Sequence, residues 1–554
     1  MREAEPVAHR EIAALLGLTV IAFALRAWNL SAVGLGQYDE GVYAFSAWSL
    51  ADPSAGFGLW PSQERFSPPV YFSLVSLAFR LAGAPSDTAD LWVNVVLGTA
   101  SVPVLWWVGR RWFGAVAALV AATILALSEL HIILSRSGLT DVTFALAFLI
   151  ALAAVVHALE RGGLWRAVLA GVATGLAWNT KYHGWFVLVI GTGAVLGLVW
   201  FGGGRERLRT WVVSLGVAAA TAGLIYLPWL LHVRSQPGSL EGWAGYFASM
   251  LSLRWPRRFM GHVAQQGYLE GPWNRVAIVL AVLIVIIVRR RLLAGRRGVA
   301  LLTVAGAGAA TLGGMAVTMG LAIAAIPTLL RRRTEVVPWV ALGWLGLWVA
   351  AAPLYRPYFR LLLPLLFVAA LLAGLAVQGM LAQATRGAGS RSVWRDAGLA
   401  VAVGVLVLVA GIWHDDASDP WRSQDGYRRG AAEISAMIGD GAPVTVVGEP
   451  AVAFYLRTLG HPVFGDITQP EMLDTLTPPR FVVAGVYARR TPALREALAA
   501  PAAGLRWLGH IHVEPTEIRL LDDLPASEAR RYRQSPDSTF GLDLYAFGQA
   551  DRLP

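Results

Sequence analysis

Apolar runs of about twenty residues recur along this chain, a length that spans a bilayer as a helix. They fall at residues 12–30, 91–109, 114–131, 139–159, 164–180, 183–201, 211–232, 275–289, 299–330, 336–354, 359–382 and 397–413. Inside a bilayer each segment must satisfy its own backbone, so these runs are helices. The fold class that follows is a multi-pass α-helical membrane protein. Only 15% of the 554 residues are charged, against about a quarter in soluble domains. The first run lacks a small-x-small cleavage pattern and reads as a retained helix. With no cysteine in the sequence, disulfides, thiol chemistry and cysteine-held metals are excluded.

Charge sets the topology. Residues 414–554 hold 14 Arg against 19 Asp and Glu, so the net charge of +10 belongs to the membrane part. That distribution argues against nucleic acid as a partner. With the N-terminus inside, Arg110/Arg111, Arg161/Arg166, Arg205/Arg207/Arg209, Arg289–Arg291 and Arg296/Arg297 lie in inner loops, where short loops collect basic residues. The run 299–330 is too long for one span. A hairpin turning at Gly313-Gly314 puts Arg331–Arg333 inside as well and gives about thirteen transmembrane helices. The chain then divides into a membrane domain, residues 1–413, and an outer domain, residues 414–554. In the latter, apolar strands such as 442–448 and 480–487 alternate with helical patches 428–438 and 491–500, which reads as α/β. Outer loops cover 31–90 and 233–274. Residues 40–50 and 69–82 have helical apolar spacing but are too short to cross, and fit helices lying in the membrane plane.

The polar residues at the outer ends are the candidates for chemistry. Asp39 and Glu40, in "GQYDEGVYAF", open a helix. An N-cap explains an acidic residue there; a general base or a ligand of a divalent cation is the functional alternative. Glu129, His131, Arg136 and Asp141 cluster between two helices, where an outer Arg needs an anion or a carboxylate. Either an Arg136–Asp141 ion pair or an anionic ligand supplies it. Lys181, with Tyr182 and His183, is the sole lysine of the chain. It is either a snorkelling lysine or a compact ammonium for a phosphate. Arg356, Tyr358 and Arg360 again place arginines at an outer end, as interfacial anchors or as guanidinium forks for phosphate oxygens. In the 233–274 loop, Trp243, Tyr246, Arg254, Arg257, Arg258 and His262 suit carbohydrate, and equally any interfacial loop. Glu64 and Arg65 precede the Pro68-Pro69 joint. No Walker loop, GxGxxG after a strand, HExxH or GxSxG elbow is present.

In order, "YDE" (38–40), "PP" (68–69), "SRSGLTD" (135–141), "GLAWNTK" (175–181) and "YRPYFRLLLPLL" (355–366) resemble the GT-C membrane glycosyltransferases. The branch is that of dolichyl-phosphate-mannose protein mannosyltransferases and bacterial aminoarabinose transferases. The resemblance covers roughly residues 10–385. It implies inverting transfer of a sugar from a polyprenyl-phosphate donor to an acceptor glycan, lipid or protein, outside a bacterial plasma membrane and without a nucleotide cofactor. It also implies that Asp39 activates the acceptor or holds a divalent metal, and that Lys181, Arg136 and Arg356 face the lipid phosphate. One departure is that Ser67 stands where aminoarabinose-type enzymes carry an acidic residue, which puts a two-carboxylate metal site in doubt. A transporter or flippase for lipid-linked saccharides, or an assembly protein, is the alternative. A transporter calls for inverted repeats or mid-membrane polar sites, and the sequence shows neither.

Overall fold

The computed structural model describes residues 7–55, 67–235, 248, 251–271, 273–277, 280, 314–385, 419–464, 480–499 and 504–547. Among them, eight stretches are long and apolar enough to cross a membrane, nine if a bent pair counts as one span. The chain begins with α1 (His9–Ala27), α2 (Tyr38–Ala51), α3 (Val70–Ala82), α4 (Asp87–Trp112), α5 (Ala115–Leu127) and α6 (Glu129–Ser135). It continues with α7 (Asp141–Arg161), α8 (Leu164–Trp178), α9 (Phe186–Phe201), α10 (Leu208–Ser235) and α11 (Trp255–Tyr268). Later membrane helices are Gly314–Ala324 with Ile326–Arg331, then Val336–Ala351 and Leu363–Thr385. The expected spans 275–289 and 397–413, the first half of 299–330 and the 413/414 domain boundary lie largely outside the described residues.

Two expected spans differ. The run 114–131 is broken: α5 and α6 meet at 58°. A break frees backbone groups that lipid cannot satisfy, and here the Arg26 guanidinium takes them up. It donates to the carbonyls of Leu125 (3.2 Å) and Ala126 (3.0 Å). The run 164–180 forms α8, 15 residues long, too short to cross on its own. It packs closely on α10, because at Gly171 a Cβ would lie 2.6 Å from the Ala218 carbonyl oxygen. Small residues at such crossings let helix backbones approach.

The arginine clusters gather at one end of the bundle. Arg110 pairs with Glu11 at the start of α1 (2.8 Å), Arg207 donates to Glu160 O (2.7 Å), and Arg332 donates to Trp112 O (3.3 Å). Gly314 starts its helix at the opposite end, its N–H on Glu270 Oε1 (2.6 Å). Arg331–Arg333 therefore share an end with Arg110 and Arg111, as the hairpin reading requires.

The C-terminal region forms a five-stranded sheet, β1 (Val444–Val447), β2 (Val463–Phe464), β3 (Arg480–Ala484), β4 (Leu505–His512) and β5 (Gly541–Phe547), in the order β2-β1-β3-β5-β4. β2, β1 and β3 run parallel, with Val444 opposite both Val463 and Phe481; β5 is antiparallel to β3 and β4. The parallel β1 is buried along its whole length, the pattern expected where helices cover a parallel sheet.

This domain is seated on α2 and α3. Phe454, on helix Pro450–Thr458, packs against Phe45 (6.0 Å), Trp48 (5.7 Å) and Phe79 (6.4 Å). The apolar face of α2, expected to lie on the membrane, is thus covered by the protein's own domain. Gly41 makes the contact possible, since a Cβ there would sit 2.2 Å from Ala451 N. A Gly41→Val substitution should overpack this joint at about 1–3 kcal/mol. The expected result is a lower thermal midpoint in detergent and faster proteolysis of residues 419–547. An unchanged midpoint would mean that the helices can slide apart freely.

Candidate active site

Asp39 and Glu40 have separate roles. The N-cap of α2 is Gln37, whose Oε1 accepts from Asp39 N (2.5 Å). Glu40 completes a capping box: its Oε2 accepts from the N–H groups of Gly36 and Gln37, both at 2.8 Å. Its Oε1 accepts from Gly138 N (2.9 Å), tying the start of α2 to the α6–α7 joint. Only 2% of Glu40 is exposed. Burial pushes its carboxyl above the ordinary range, and the three amides pull it back in part. Glu40, proposed beside Asp39 as catalytic, is spent on backbone. The Asp39 side chain remains 32% exposed and meets a guanidinium.

That guanidinium belongs to Arg360, in the Phe359–Leu362 turn that leads into helix Leu363–Thr385. It is 3% exposed. Its Nη2 lies 2.8 Å from Asp39 Oδ2 and 3.4 Å from Asp522 Oδ2, and its Nη1 lies 3.7 Å from Asp141 Oδ2. The Tyr358 ring lies 4.3 Å from the guanidinium carbon, and the Tyr358 hydroxyl accepts from Nη2. Lys181 Nζ lies 2.5 Å from Asp141 Oδ1. Arg356 is exposed, its guanidinium carbon 4.9 Å from the Tyr358 ring. Asp39, Asp141, Lys181, Tyr358 and Arg360, all singled out in the sequence, are therefore one cluster.

Other candidates are placed elsewhere. Arg136 does not pair with Asp141. It donates to the carbonyls of Arg26 (2.7 Å), Trp28 (2.5 Å) and Pro420 (3.0 Å), joining the end of α1 to the C-terminal domain. Glu129 accepts from the N–H groups of Gly271, Trp273 and Asn274. His183 packs edge-on against Phe144 (4.9 Å). The Tyr182 hydroxyl accepts from Trp229 Nε1 (3.4 Å). His262 Nδ1 accepts from Tyr358 N (3.4 Å), so Nε2 carries the proton toward Ala352 O (3.2 Å). Burial lowers its pKa and keeps it neutral, a structural pin under the Tyr358 turn. Arg258 donates to Leu354 O (2.7 Å). Glu64, Arg65, Trp243 and Tyr246 lie outside the described residues.

Asp522 is the residue that sequence reasoning missed. It lies on helix Glu517–Asp523 of the C-terminal domain. Burial pushes its carboxyl up to about 7, against the pull of Arg360.

Among the described residues no group of three or more His, Asp or Glu is arranged to hold a metal ion. Three carboxylates do converge, but on a guanidinium that already fills the space between them. The cluster does not fit the divalent cation expected at Asp39.

A family model described as dolichyl-phosphate-mannose-protein mannosyltransferase matches residues 67–232. The structure superposes on ArnT from Cupriavidus metallidurans bound to undecaprenyl phosphate, with TM-score 0.55 and 15% identity, over 99% of this chain and 100% of that one. It superposes likewise on the archaeal oligosaccharyltransferase AglB from Archaeoglobus fulgidus, solved with an inhibitory peptide and a dolichol-phosphate. There the TM-score is 0.59 and the identity 13%, over 98% of this chain and 89% of that one. The chain has the GT-C fold. No curated protein matches it by sequence. Within the GT-C fold seen here, the Asp39–Arg360 cluster sits where the membrane helices end and the C-terminal domain begins.

The raised carboxyl of Asp522 makes stability depend on pH. In the unfolded chain the group titrates at about 3.9; in the folded protein it does so near 7. Its contribution is fully present below the lower value and is lost as pH rises through the higher one. Asp522→Asn removes this slope. Relative to wild type, the variant should gain roughly 1 kcal/mol per pH unit between about pH 4 and 7, read from thermal midpoints in detergent. A pH-independent difference would show that the carboxyl titrates normally.

Proposed function

We propose that this chain is a glycosyltransferase that moves a sugar from a polyprenyl-phosphate donor to an acceptor hydroxyl or amine, with inversion, at the outer face of a bacterial plasma membrane. One observation carries the reading. A partly exposed carboxylate, Asp39, is aimed by a buried arginine at the end of the bundle opposite the arginine-rich loops. Cations for a phosphate stand beside it. The matched family model supports the reading, and so do two structures of this fold that hold undecaprenyl phosphate and dolichol-phosphate.

The chemistry follows from the groups present. The acceptor O–H or N–H approaches Asp39 from the exposed side, and the carboxylate takes the proton as general base. The acceptor atom bonds to C1 of the sugar as the C1–O bond to the lipid phosphate breaks on the opposite face. The bonding pair leaves with the phosphate, whose growing negative charge needs fixed cations. Arg356 and Lys181 flank the cluster and fill that role. Arg360 neutralises Asp39 and sets its direction, and Asp141 holds Lys181 in place. Because the leaving group is a lipid phosphate already in the membrane, no nucleotide takes part. The acceptor is a glycan, a lipid or a protein.

Purified protein in nanodiscs, given a panel of undecaprenyl-phosphate sugars and envelope acceptors, tests the reading. Asp39→Asn should lower the transfer rate by about 100-fold or more, the range for a general base, with little change in donor KM. A folded variant that transfers at the wild-type rate would remove Asp39 from the mechanism.

A further inference from the structure

Asp39 and three groups around it close into a ring. The Asp39 N–H donates to Gln37 Oε1 (2.5 Å). Gln37 Nε2 donates to Asp522 Oδ2 (3.1 Å). The same oxygen lies 3.4 Å from Arg360 Nη2, which donates to Asp39 Oδ2 at 2.8 Å. Gln37 and Arg360 are 4% and 3% exposed, so water does not substitute for a lost member. The direction of the Gln37 amide is forced: a flip would set its NH2 against the Asp39 N–H and its oxygen against the Asp522 carboxylate. Asp522 is the part of the ring supplied by the C-terminal domain.

We propose that Asp522 is a positioning residue, which fixes the Asp39 carboxylate through Gln37 and Arg360 so that the site is complete only with the C-terminal domain docked. The functional meaning rests on Asp39 as the base; the geometric claim does not.

The helix that carries Asp522 is built to hold position. Thr516 Oγ1 caps its start by accepting from Arg519 N (3.2 Å). Arg519 pairs with Glu449 (2.9 Å) and Asp523 (2.5 Å). Glu517 Oε2 accepts from Tyr268 OH (2.9 Å) on α11. Asp522 is not needed to seat the domain, because docking has its own contacts. Arg428 and the Tyr455 hydroxyl both reach Asp87 Oδ2 at 2.9 Å, and Phe454 fills the aromatic joint. The Asp522 Oδ1 atom is buried without a hydrogen-bond partner among the described residues. That is an uncompensated acceptor, a cost the fold carries if the other oxygen has a task.

Carboxylate footprinting tests the geometry without a substrate. Full-length protein in nanodiscs is labelled with a carbodiimide and glycine ethyl ester, and each site is read by peptide mass spectrometry against the exposed Asp440. Asp522→Ala should raise labelling at Asp39 several-fold and leave Asp87 and Asp425, at the docking contacts, unchanged. Equal labelling of Asp39 in variant and wild type overturns the proposal. A joint rise at Asp39, Asp87 and Asp425 also overturns it, since it shows a docking role alone. If Asp522→Ala does not fold, Asp522→Asn keeps the shape, removes the charge from Arg360 and is read in the same way. In the transfer assay, kcat should fall by on the order of 100-fold with donor KM unchanged, and Asp522→Glu should restore part of it. Selective labelling at Asp39 in a protein that transfers no sugar sustains the positioning role and rejects the transferase reading.

Discussion

A single guanidinium, that of Arg360, is shared by carboxylates from three distant parts of the chain. Asp39 comes from the start of α2, Asp141 from the start of α7, and Asp522 from the C-terminal domain. A buried cation costs several kcal/mol in lost hydration, recovered only when partners are well placed. That requirement constrains the architecture. The segment after α1 must fold back over the bundle, the α6–α7 joint must reach the same level, and the C-terminal domain must be pressed onto both. The Phe454 joint and the Gly41 contact deliver the last of these.

Four other buried charges work differently. Arg26 and Arg136 meet backbone carbonyls; Glu40 and Glu129 meet backbone amides. Each stands where a helix is broken or begun inside the protein, and each replaces the water that would satisfy those groups elsewhere. Two sets of charged residues thus stand out. These four serve the backbone, and those around Arg360 pair with one another beside the partly exposed Asp39.

Sequence separates these sets only in part. Positive-inside reasoning marks Arg136, Lys181, Arg356 and Arg360 as anomalous, and three of the four belong to the Asp39 cluster or border it. Arg136 looks the same in sequence, yet its partners are carbonyls freed where α1 ends, which no local pattern reveals. The break at Ser128 is equally silent, because α5 and α6 read as one apolar run. The hairpin reading of 299–330 draws on the length of the run, on Gly313-Gly314 and on charge; its second half runs between opposite ends, from Gly314 to Arg332, and its first half lies outside the described residues. Asp522 was illegible for another reason. Its environment depends on a domain–bundle contact nearly five hundred residues from Gln37 along the chain, and neighbouring "LLDDLP" carries no trace of it.

The sole lysine gains its meaning from Asp141, which serves two cations at once, Lys181 at 2.5 Å and Arg360 at 3.7 Å. Within the proposed mechanism, a lipid phosphate approaching Lys181 competes with a carboxylate already in place. The gain on binding is then the difference between two anions, not the full attraction of a bare ammonium. An arginine at 181 would offer several donors in a rigid fork and satisfy both anions together. A lysine presents one compact charge on a flexible stem, which can lean toward the phosphate and return to Asp141.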